Sequence, residues 1–280
     1  MQFAVFCCKA VCIFALCTLL LACANTTRSG AVGINRSQFL VVSASEVDRL
    51  SAINFNEQNQ KAKEKNILVT SGPAYDRLKT ISNRLISQTG VFRDDTRQWN
   101  WQLVLIDAPT LNATCAPGGK ITFYTGLIEQ LKLNDDEIAA IMGHEIAHAS
   151  REHGRERLSQ AMAQSAVANI AMAVAGPYGS AVSAANQAAQ YVLVLPNSRQ
   201  NESEADAIGL ELAARAGYNP QAAISVWQKM NKATQGKGPP EFLSTHPSGE
   251  TRIEQLSELM PAVEPLYKAA PKPSDHLKKI

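Results

Sequence analysis

The chain has few cysteines beyond its first residues, and this absence limits how the fold can be held together. Only Cys23 and Cys115 follow the first 22 residues, which contain the other four of the six cysteines in the chain. If those first residues are removed and Cys23 is modified, as argued below, Cys115 has no partner. No intrachain disulfide is therefore expected, and stability must come from other interactions.

An excess of charge of one sign is also missing. The chain has 27 Lys and Arg residues against 25 Asp and Glu residues, a formal net charge of +2, and the two signs are interspersed. This balance gives no indication of a nucleic-acid partner, and none is predicted. Apolar residues make up 45% of the 280 residues, enough for a leader and one substantial domain with its own core.

The apolar run at the start of the chain is short. Residues 10–21 are too few to span a bilayer comfortably and end at small residues, which is typical of an export signal. The ending Leu20-Leu21-Ala22-Cys23 resembles a bacterial lipobox. This resemblance implies that residues 1–22 are a signal peptide and that Cys23 is lipidated, and Ala24 favours the periplasmic face of a bacterial outer membrane. The alternative is a plain secretory peptide.

The remaining chain divides by composition into three parts. Residues 23–44 are polar and predict a tether, residues 45–262 predict one folded domain, and residues 263–280, rich in Pro, Lys and Ala, predict a flexible tail. Within the domain, residues 155–195 are Ala-rich and broken by Gly176-Pro177-Tyr178-Gly179, which predicts a helical hairpin. The Gln and Asn residues of this hairpin favour packing over a membrane span.

A buried helix is predicted over residues 137–154. A capping box of Asn134 and Glu137 starts it and Gly154 ends it, and nearly every position from 138 to 149 is apolar or small. Within it, His144 and His148 lie four residues apart and share one face, with Glu145 beside them. Such polar groups need a partner, and a divalent cation satisfies two neutral imidazoles. The alternative is an ordinary helix with surface histidines.

A third metal ligand is expected in the acidic stretch that follows the hairpin. Glu202 and Asp206 are four apart on a predicted helix, so the first can bind the metal while the second accepts a hydrogen bond from a ligand imidazole. Glu204 lies on another face and is interpreted as structural or at the rim. The alternative is a solvated acidic helix start.

These patterns together resemble a known family. The sequence HEIAH at 144–148, followed by the ExEAD helix at 202–206, resembles the gluzincin metallopeptidases of the HtpX and CAAX-prenyl-protease type, in particular their bacterial lipoprotein branch. Asn112-Ala113 with residues 117–121, and Thr245-His246-Pro247 with Arg252, match further family elements in the same order. The resemblance implies an α+β fold, mostly helical, with a small β-sheet flanking the HExxH helix.

The resemblance also implies roles for individual residues. One Zn²⁺ per chain would be held by His144, His148 and Glu202, with Asp206 hydrogen-bonded to a ligand histidine. His246 would face the zinc, either to donate to the oxyanion or to occupy the open metal position at rest; the alternative is a simple helix-start residue. Asn112, Ala113 and Arg252 are expected to bind substrate, although Arg252 could instead hold the loop that carries His246.

A small sheet is predicted before the metal helix. Residues 99–106 and 121–124 predict strands, and residues 112–116 a short edge strand beside the metal. An edge strand offers free N–H and C=O groups to an extended peptide, unless it forms a buried hairpin with no ligand role. Cys115 is interpreted as a small strand residue beside the site rather than a nucleophile.

The predicted function is that of a zinc-dependent endopeptidase of the bacterial periplasm, which cleaves misfolded or unassembled envelope proteins. Glu145 is the predicted general base, which takes a proton from the attacking water and returns it to the departing amine. The competing class is a chaperone or assembly factor for outer-membrane proteins, in contact with the outer-membrane assembly machinery, with a latent or self-inhibited zinc site. An open three-ligand set favours catalysis.

Overall fold

The computed structural model of the chain describes residues 23–175, 197–234, 241–246 and 250–273. These residues are mostly helical and include a small mixed sheet, which confirms the predicted α+β class. The strands are β1 (Cys23–Ala24), β2 (Gln38–Phe39), β3 (Leu68–Val69), β4 (Gln102–Ile106), β5 (Ala113–Ala116) and β6 (Lys120–Tyr124). The helices are α1 (Ala44–Glu64), α2 (Pro73–Ile86), α3 (Thr125–Gln130), α4 (Asp135–Ser150), α5 (His153–Ala175), α6 (Arg199–Arg215), α7 (Ala222–Thr234), α8 (Glu241–Thr245) and α9 (Glu250–Ala269).

The main sheet has the strand order β3-β4-β6-β5. Strands β4 and β6 run parallel, whereas β5 and β6 form an antiparallel hairpin through Gly118 and Gly119. Both glycines have positive φ, at 75° and 79°, a conformation that residues with a Cβ rarely adopt. The hairpin leaves β5 at the edge of the sheet, as the sequence predicted, and packs it against α4.

Helix α4 starts where the sequence predicts and ends earlier. The Asn134 side chain accepts from the Glu137 N–H while the Glu137 side chain accepts from the Asn134 N–H, so both halves of the capping box are present. The helix ends at Ser150 and not at the predicted Gly154, because Glu152 adopts a left-handed φ of 54° and a new helix begins at His153. The chain therefore turns within one helical turn after His148.

Helices α4 and α6 approach very closely at two glycines. A Cβ added to Gly209 would lie 2.6 Å from the backbone nitrogen of His144, and one added to Gly143 would lie 2.8 Å from the carbonyl oxygen of Gly209. Only glycine leaves room for this backbone contact. The crossing therefore fixes the distance between the helix that carries His144 and the helix that carries Glu202.

The segment predicted as a tether packs against the helices. Gln38 is fully buried, and its amide donates to the Arg151 carbonyl oxygen over 2.7 Å. Arg36 forms ion pairs with Glu156 on α5 and Glu204 on α6, at 2.6 and 2.5 Å. The polar residues of this segment, whose composition suggested a tether, therefore contact charged, buried residues of the helices.

The end of the domain also differs from the prediction. Helix α9 continues through Pro261 and Pro265 to Ala269, so part of the predicted tail is helical. An interior proline costs a helix about 3 kcal/mol. Val263, between the two prolines, is fully buried, and this packing supports the helix through both of them.

Several predicted segments lie outside the described residues. They are the signal peptide at 1–22, the break and second arm of the hairpin at 176–195, Pro247 of the Thr245-His246-Pro247 element and residues 274–280 of the predicted tail. Among the helices of the described residues, none has the length and apolar character needed to cross a bilayer.

Candidate metal centre

The first half of the candidate centre is a face of α4. His144 and His148 lie one helical turn apart, and their Nε2 atoms are 3.0 Å from each other. Both side chains are nearly buried, at 6% and 7% exposure. The four-residue spacing therefore brings both imidazoles to one point, as predicted.

The second half comes from α6 and from the residue that follows α8. Glu202 lies in the first turn of α6, where Ser198 caps the helix, and it is 1% exposed. One carboxylate oxygen of Glu202 is 3.5 Å from His144 Nε2, and the other is 3.3 Å from His148 Nε2. His246 brings its Nδ1 within 3.1 Å of Glu202 and 3.2 Å of His144.

The ligand atoms of these four residues fit a divalent ion. One ligand atom from each lies within 4.8 Å of the others. Around a tetrahedral zinc ion with bonds near 2.0–2.1 Å, neighbouring ligand atoms lie about 3.3 Å apart. The two histidine nitrogens are 3.0 Å apart, close to this value, and each lies 3.3 or 3.5 Å from one of the two oxygens of Glu202. Imidazole nitrogen with carboxylate oxygen is a donor set that suits zinc.

The electrostatics of the four residues show how strongly they are coupled. Burial opposes the charged form of His144, but hydrogen bonds to Asp206 and Glu202 outweigh burial and raise its pKa to about 9. Burial holds the pKa of His148 well below its usual value. Burial also opposes the charge of Glu202, yet the neighbouring histidines outweigh it and lower the pKa of that carboxyl. The centre therefore favours an ionised carboxylate among imidazoles.

Glu145 lies beside this centre with one oxygen unsatisfied. Its Oε1 makes no hydrogen bond to the described residues, although the side chain is only 3% exposed. His246 Nε2 lies 3.4 Å from this oxygen. Burial raises the pKa of Glu145, and a backbone hydrogen bond from Cys115 on β5 partly offsets the rise. A buried carboxylate oxygen without a partner is expected where a water or substrate group binds.

Asp206, which was predicted to hydrogen-bond a ligand histidine, lies next to His144. Its Oδ1 lies 3.0 Å from His144 Nδ1, the ring nitrogen that faces away from the centre. Arg252 donates to both oxygens of Asp206, over 2.6 and 2.7 Å, and to Glu202 over 2.6 Å. The guanidinium is 5% exposed and stacks over Trp227 at 3.8 Å. This placement favours a role for Arg252 in holding Glu202 and Asp206 in position, and argues against the predicted contact with substrate.

His153 is a residue whose place the sequence reasoning missed. It is fully buried, and its Nδ1 lies 2.8 Å from His148 Nδ1. Its Nε2 lies 3.2 Å from Glu204, the carboxylate interpreted from the sequence as structural or at the rim. Because α4 ends at Ser150 and the chain turns at Glu152, His153 comes to lie beside His148. The signal for this contact in the sequence was the presence of a histidine five residues after His148.

A cleft of about 370 Å³ opens onto the centre. Its lining includes Thr114 and Cys115 of β5, the preceding Asn112, and Asn54 and Gln58 of α1. Glu145, His148 and His246 lie at its base. Asn112 therefore lines the cleft, where substrate binding was predicted, whereas Ala113 is fully buried and is not among the lining residues.

The fold and this centre define a class of protein: a metallopeptidase with an HExxH helix and a carboxylate ligand from a second helix. The family model of peptidase family M48 matches residues 74–260. The chain belongs to this family, which confirms the predicted metallopeptidase assignment. The bacterial lipoprotein branch within it is not shown.

Named relatives agree with the family. The chain is 36% identical to the mitochondrial metalloendopeptidase OMA1 of Arabidopsis thaliana over 57% of its own length and 31% of that protein. It is 36% identical to OMA1 of Saccharomyces cerevisiae over 60% of its length and 49% of that protein. It is 29% identical to the beta-barrel assembly-enhancing protease of Escherichia coli over 63% of its length and 37% of that protein. The chain thus spans a third to a half of these curated relatives.

The relatives contradict the predicted location. Similar proteins from a plant, two yeasts, cattle and human are all named as mitochondrial. The predicted location at the periplasmic face of a bacterial outer membrane is therefore wrong. The prediction rested on the four residues that end at Cys23, whereas the similarity to mitochondrial proteins extends over more than half of the chain.

Proposed function

We propose that the chain is a zinc-dependent endopeptidase that cleaves polypeptides in an extended conformation, such as misfolded or unassembled proteins. The observation that carries the proposal is the convergence of His144, His148 and Glu202 on one point, with the free Glu145 oxygen beside it. Even if His246 supplied the fourth protein ligand of a structural site, such a site would have no need of the free carboxylate oxygen of Glu145. A catalytic site needs both the open position and the base.

Each side chain of the centre has a task in peptide hydrolysis. A bound zinc ion supplies Lewis acidity, which lowers the pKa of water and polarises a peptide carbonyl. Glu145 accepts a proton from the attacking water on its free Oε1 and delivers it to the leaving amine. Asp206 keeps the proton of His144 on Nδ1, so Nε2 keeps its lone pair for the metal. Catalysis by this route needs no covalent intermediate with the chain.

The cleft suggests how a substrate would bind. Strand β5 pairs with β6 on one side only, so no strand of the described residues covers its other edge. The N–H groups of Ala113 and Cys115 already donate to Asn112 and Glu145, so a bound peptide would have to use other backbone groups of this edge or displace these bonds. A peptide added to that edge would gain backbone hydrogen bonds with little dependence on its sequence. The side chains of Asn54 and Gln58 on α1 also line the cleft and offer further polar contacts. This arrangement favours unfolded segments over folded surfaces.

Three proteins test the proposal: wild type, wild type treated with a chelator, and Glu145→Gln. Wild type should bind one Zn²⁺ per chain and cleave unfolded casein, and the chelator should abolish cleavage reversibly. Glu145→Gln should bind zinc normally and cleave casein about 10²–10⁴-fold more slowly, because it lacks the proton acceptor. Zinc-free wild-type protein with full activity would exclude the proposed mechanism.

A second candidate function is that of a binding or assembly factor whose centre is closed at rest. His246 Nδ1 lies within 3.2 Å of His144 and 3.1 Å of Glu202, close enough to occupy a fourth metal position. A relative from Escherichia coli is named as an assembly-enhancing protease, so the two functions are compatible. His246→Ala should cleave casein faster than wild type if His246 blocks the centre, and more slowly if it assists the reaction.

A lipid anchor at Cys23 remains a proposal. The backbone of Cys23 pairs with Phe39 in the short β1-β2 sheet. An intact mass of the purified protein would show acylation of Cys23 and removal of residues 1–22, and Cys23→Ser should abolish any membrane association that depends on it. Detection of an unmodified Cys23 in protein from the native source would contradict this anchor.

A further inference from the structure

The two ligand histidines of the proposed zinc centre have different partners behind them. His144 presents its Nδ1 to the carboxylate of Asp206 at 3.0 Å, the usual arrangement for a metal-binding histidine. His148 presents its Nδ1 to the Nδ1 of His153 at 2.8 Å. A contact between two ring nitrogens is a hydrogen bond only when one carries the proton and the other does not.

The contact of His153 with Glu204 determines which of the two rings, His148 or His153, donates the hydrogen bond between them. Its Nε2 lies 3.2 Å from Glu204 Oε2, and an ionised carboxylate only accepts hydrogen bonds. Glu204 accepts from Arg36 over 2.5 Å and from Arg151 over 2.9 Å, and two such arginine contacts favour the ionised carboxylate. His153 therefore donates from Nε2, and in the neutral ring its Nδ1 is an acceptor. His148 must then donate from Nδ1, which leaves its Nε2 lone pair directed at the zinc position.

The charges around Glu204 show that His153 is not needed there as a cation. Arg151 donates to Glu204 over 2.9 Å, and Arg36 bridges Glu204 and Glu156 over 2.5 and 2.6 Å. Two arginines thus already balance two glutamates in this buried cluster. A neutral His153 donates a hydrogen bond to Glu204 without adding a charge to the cluster. This is what is expected of a residue whose role is to orient His148.

We infer that His153 and Glu204 are positioning residues that hold His148 in its metal-binding tautomer, as Asp206 holds His144. The inference rests on the proposed zinc centre. Because Glu204 is fixed by Arg36, the segment before α1 becomes part of the support of the centre. His153 and Glu204 contact no substrate in this arrangement; they act through His148.

The test compares zinc affinity among wild type, His153→Phe and His153→Gln. Phenylalanine fills the buried space but accepts no hydrogen bond, so the zinc dissociation constant should rise about 10–100-fold. Glutamine offers a carbonyl to His148 and an N–H to Glu204, so it should restore most of the affinity. Leu85→Ala, a fully buried position on α2 outside the centre, is the matched control. It should lower the melting temperature without changing zinc affinity.

A spectroscopic measurement separates positioning from general stability. In the Co²⁺-loaded protein, the shifted ¹H signal of the His148 Nδ1–H should exchange slowly with water, because His153 accepts that proton. In His153→Phe the signal should be lost or exchange rapidly, and in His153→Gln it should return. In Leu85→Ala the signal should match that of wild type.

The outcomes distinguish this inference from the proposed function. Unchanged zinc affinity and an unchanged Co²⁺ signal in His153→Phe would overturn the inference while leaving the zinc centre intact. A wild-type protein that binds no zinc would instead overturn the centre itself. If His153→Phe does not fold, Glu204→Gln takes its place. That amide is a weaker acceptor for His153, so zinc affinity should fall in the same direction, and an unchanged affinity would overturn the inference.

Discussion

Replacement of Arg252 by Met should destabilise the metal-free protein strongly. The guanidinium is buried and bridges two carboxylates that are themselves buried, Glu202 at 1% and Asp206 at 7% exposure. Met keeps an unbranched apolar side chain against Trp227 but leaves both carboxylates without this cation. Removal of one partner from a buried ion pair costs about 3–5 kcal/mol, and we expect a loss in this range for Arg252→Met.

Bound zinc should reduce this loss. The ion supplies positive charge next to Glu202, which is the charge that Arg252 supplies in the metal-free protein. The difference in the free energy of unfolding between wild type and Arg252→Met should therefore be smaller with saturating zinc than with a chelator. Urea unfolding followed by tryptophan fluorescence measures both differences. Arg49→Met is the control, because the exposed ion pair of Arg49 with Glu46 should contribute little.

The same variant separates the two roles that the sequence left open for Arg252. A supporting residue should alter stability and zinc affinity, with KM for a peptide substrate little changed in the zinc-loaded enzyme. A substrate-binding residue should raise KM and leave stability unchanged. A variant of wild-type stability with a raised KM would refute the supporting role inferred from the structure.

Further variants and conditions test other parts of the centre. Asp206→Asn should weaken zinc binding about 10–100-fold, since an amide is a poorer acceptor for His144, as a chelator competition assay would show. Gly209→Ala should destabilise the protein by about 1–3 kcal/mol and lower its zinc content, because the added Cβ would lie 2.6 Å from His144 N; wild-type stability would contradict the close crossing. Zinc at 1,000 times its dissociation constant should stabilise the fold by about 4 kcal/mol, which thermal melts with and without chelator would show.

The parts of the molecule that the sequence predicted are those encoded by local spacing. The capping box of Asn134 and Glu137 marks the start of α4, and the four-residue interval between His144 and His148 places both rings on one face whatever surrounds the helix. The edge position of β5 likewise follows from a short strand before a glycine turn. Periodicity and caps act within a few residues, so they can be recognised without knowledge of the tertiary structure.

What the sequence did not predict depends on the tertiary contacts of polar residues. A polar segment before the first helix is typical of a tether, yet Gln38 and Arg36 are held by partners more than one hundred residues away. Gly154 was the expected helix end, but the left-handed Glu152 turns the chain two residues sooner. Polar composition shows that a segment needs hydrogen-bond partners, but not whether those partners are water or protein.

The arrangement of α6 explains why the buried charges surround the centre. Glu202 and Asp206 lie one turn apart and face α4, whereas Glu204 lies between them in sequence and faces α5 and the segment before α1. Arg252 pairs with both Glu202 and Asp206, whereas Arg36 and Arg151 pair with Glu204. Of these three arginines, Arg36 lies in the segment that was predicted as a tether. Because an unpaired buried carboxylate is expensive, the stability of the centre depends on the ion pairs that Arg36 and Arg252 form. This dependence predicts that removal of residues 23–43, which include Arg36, or of helix α9, which carries Arg252, would lower zinc affinity. Neither segment contributes a metal ligand.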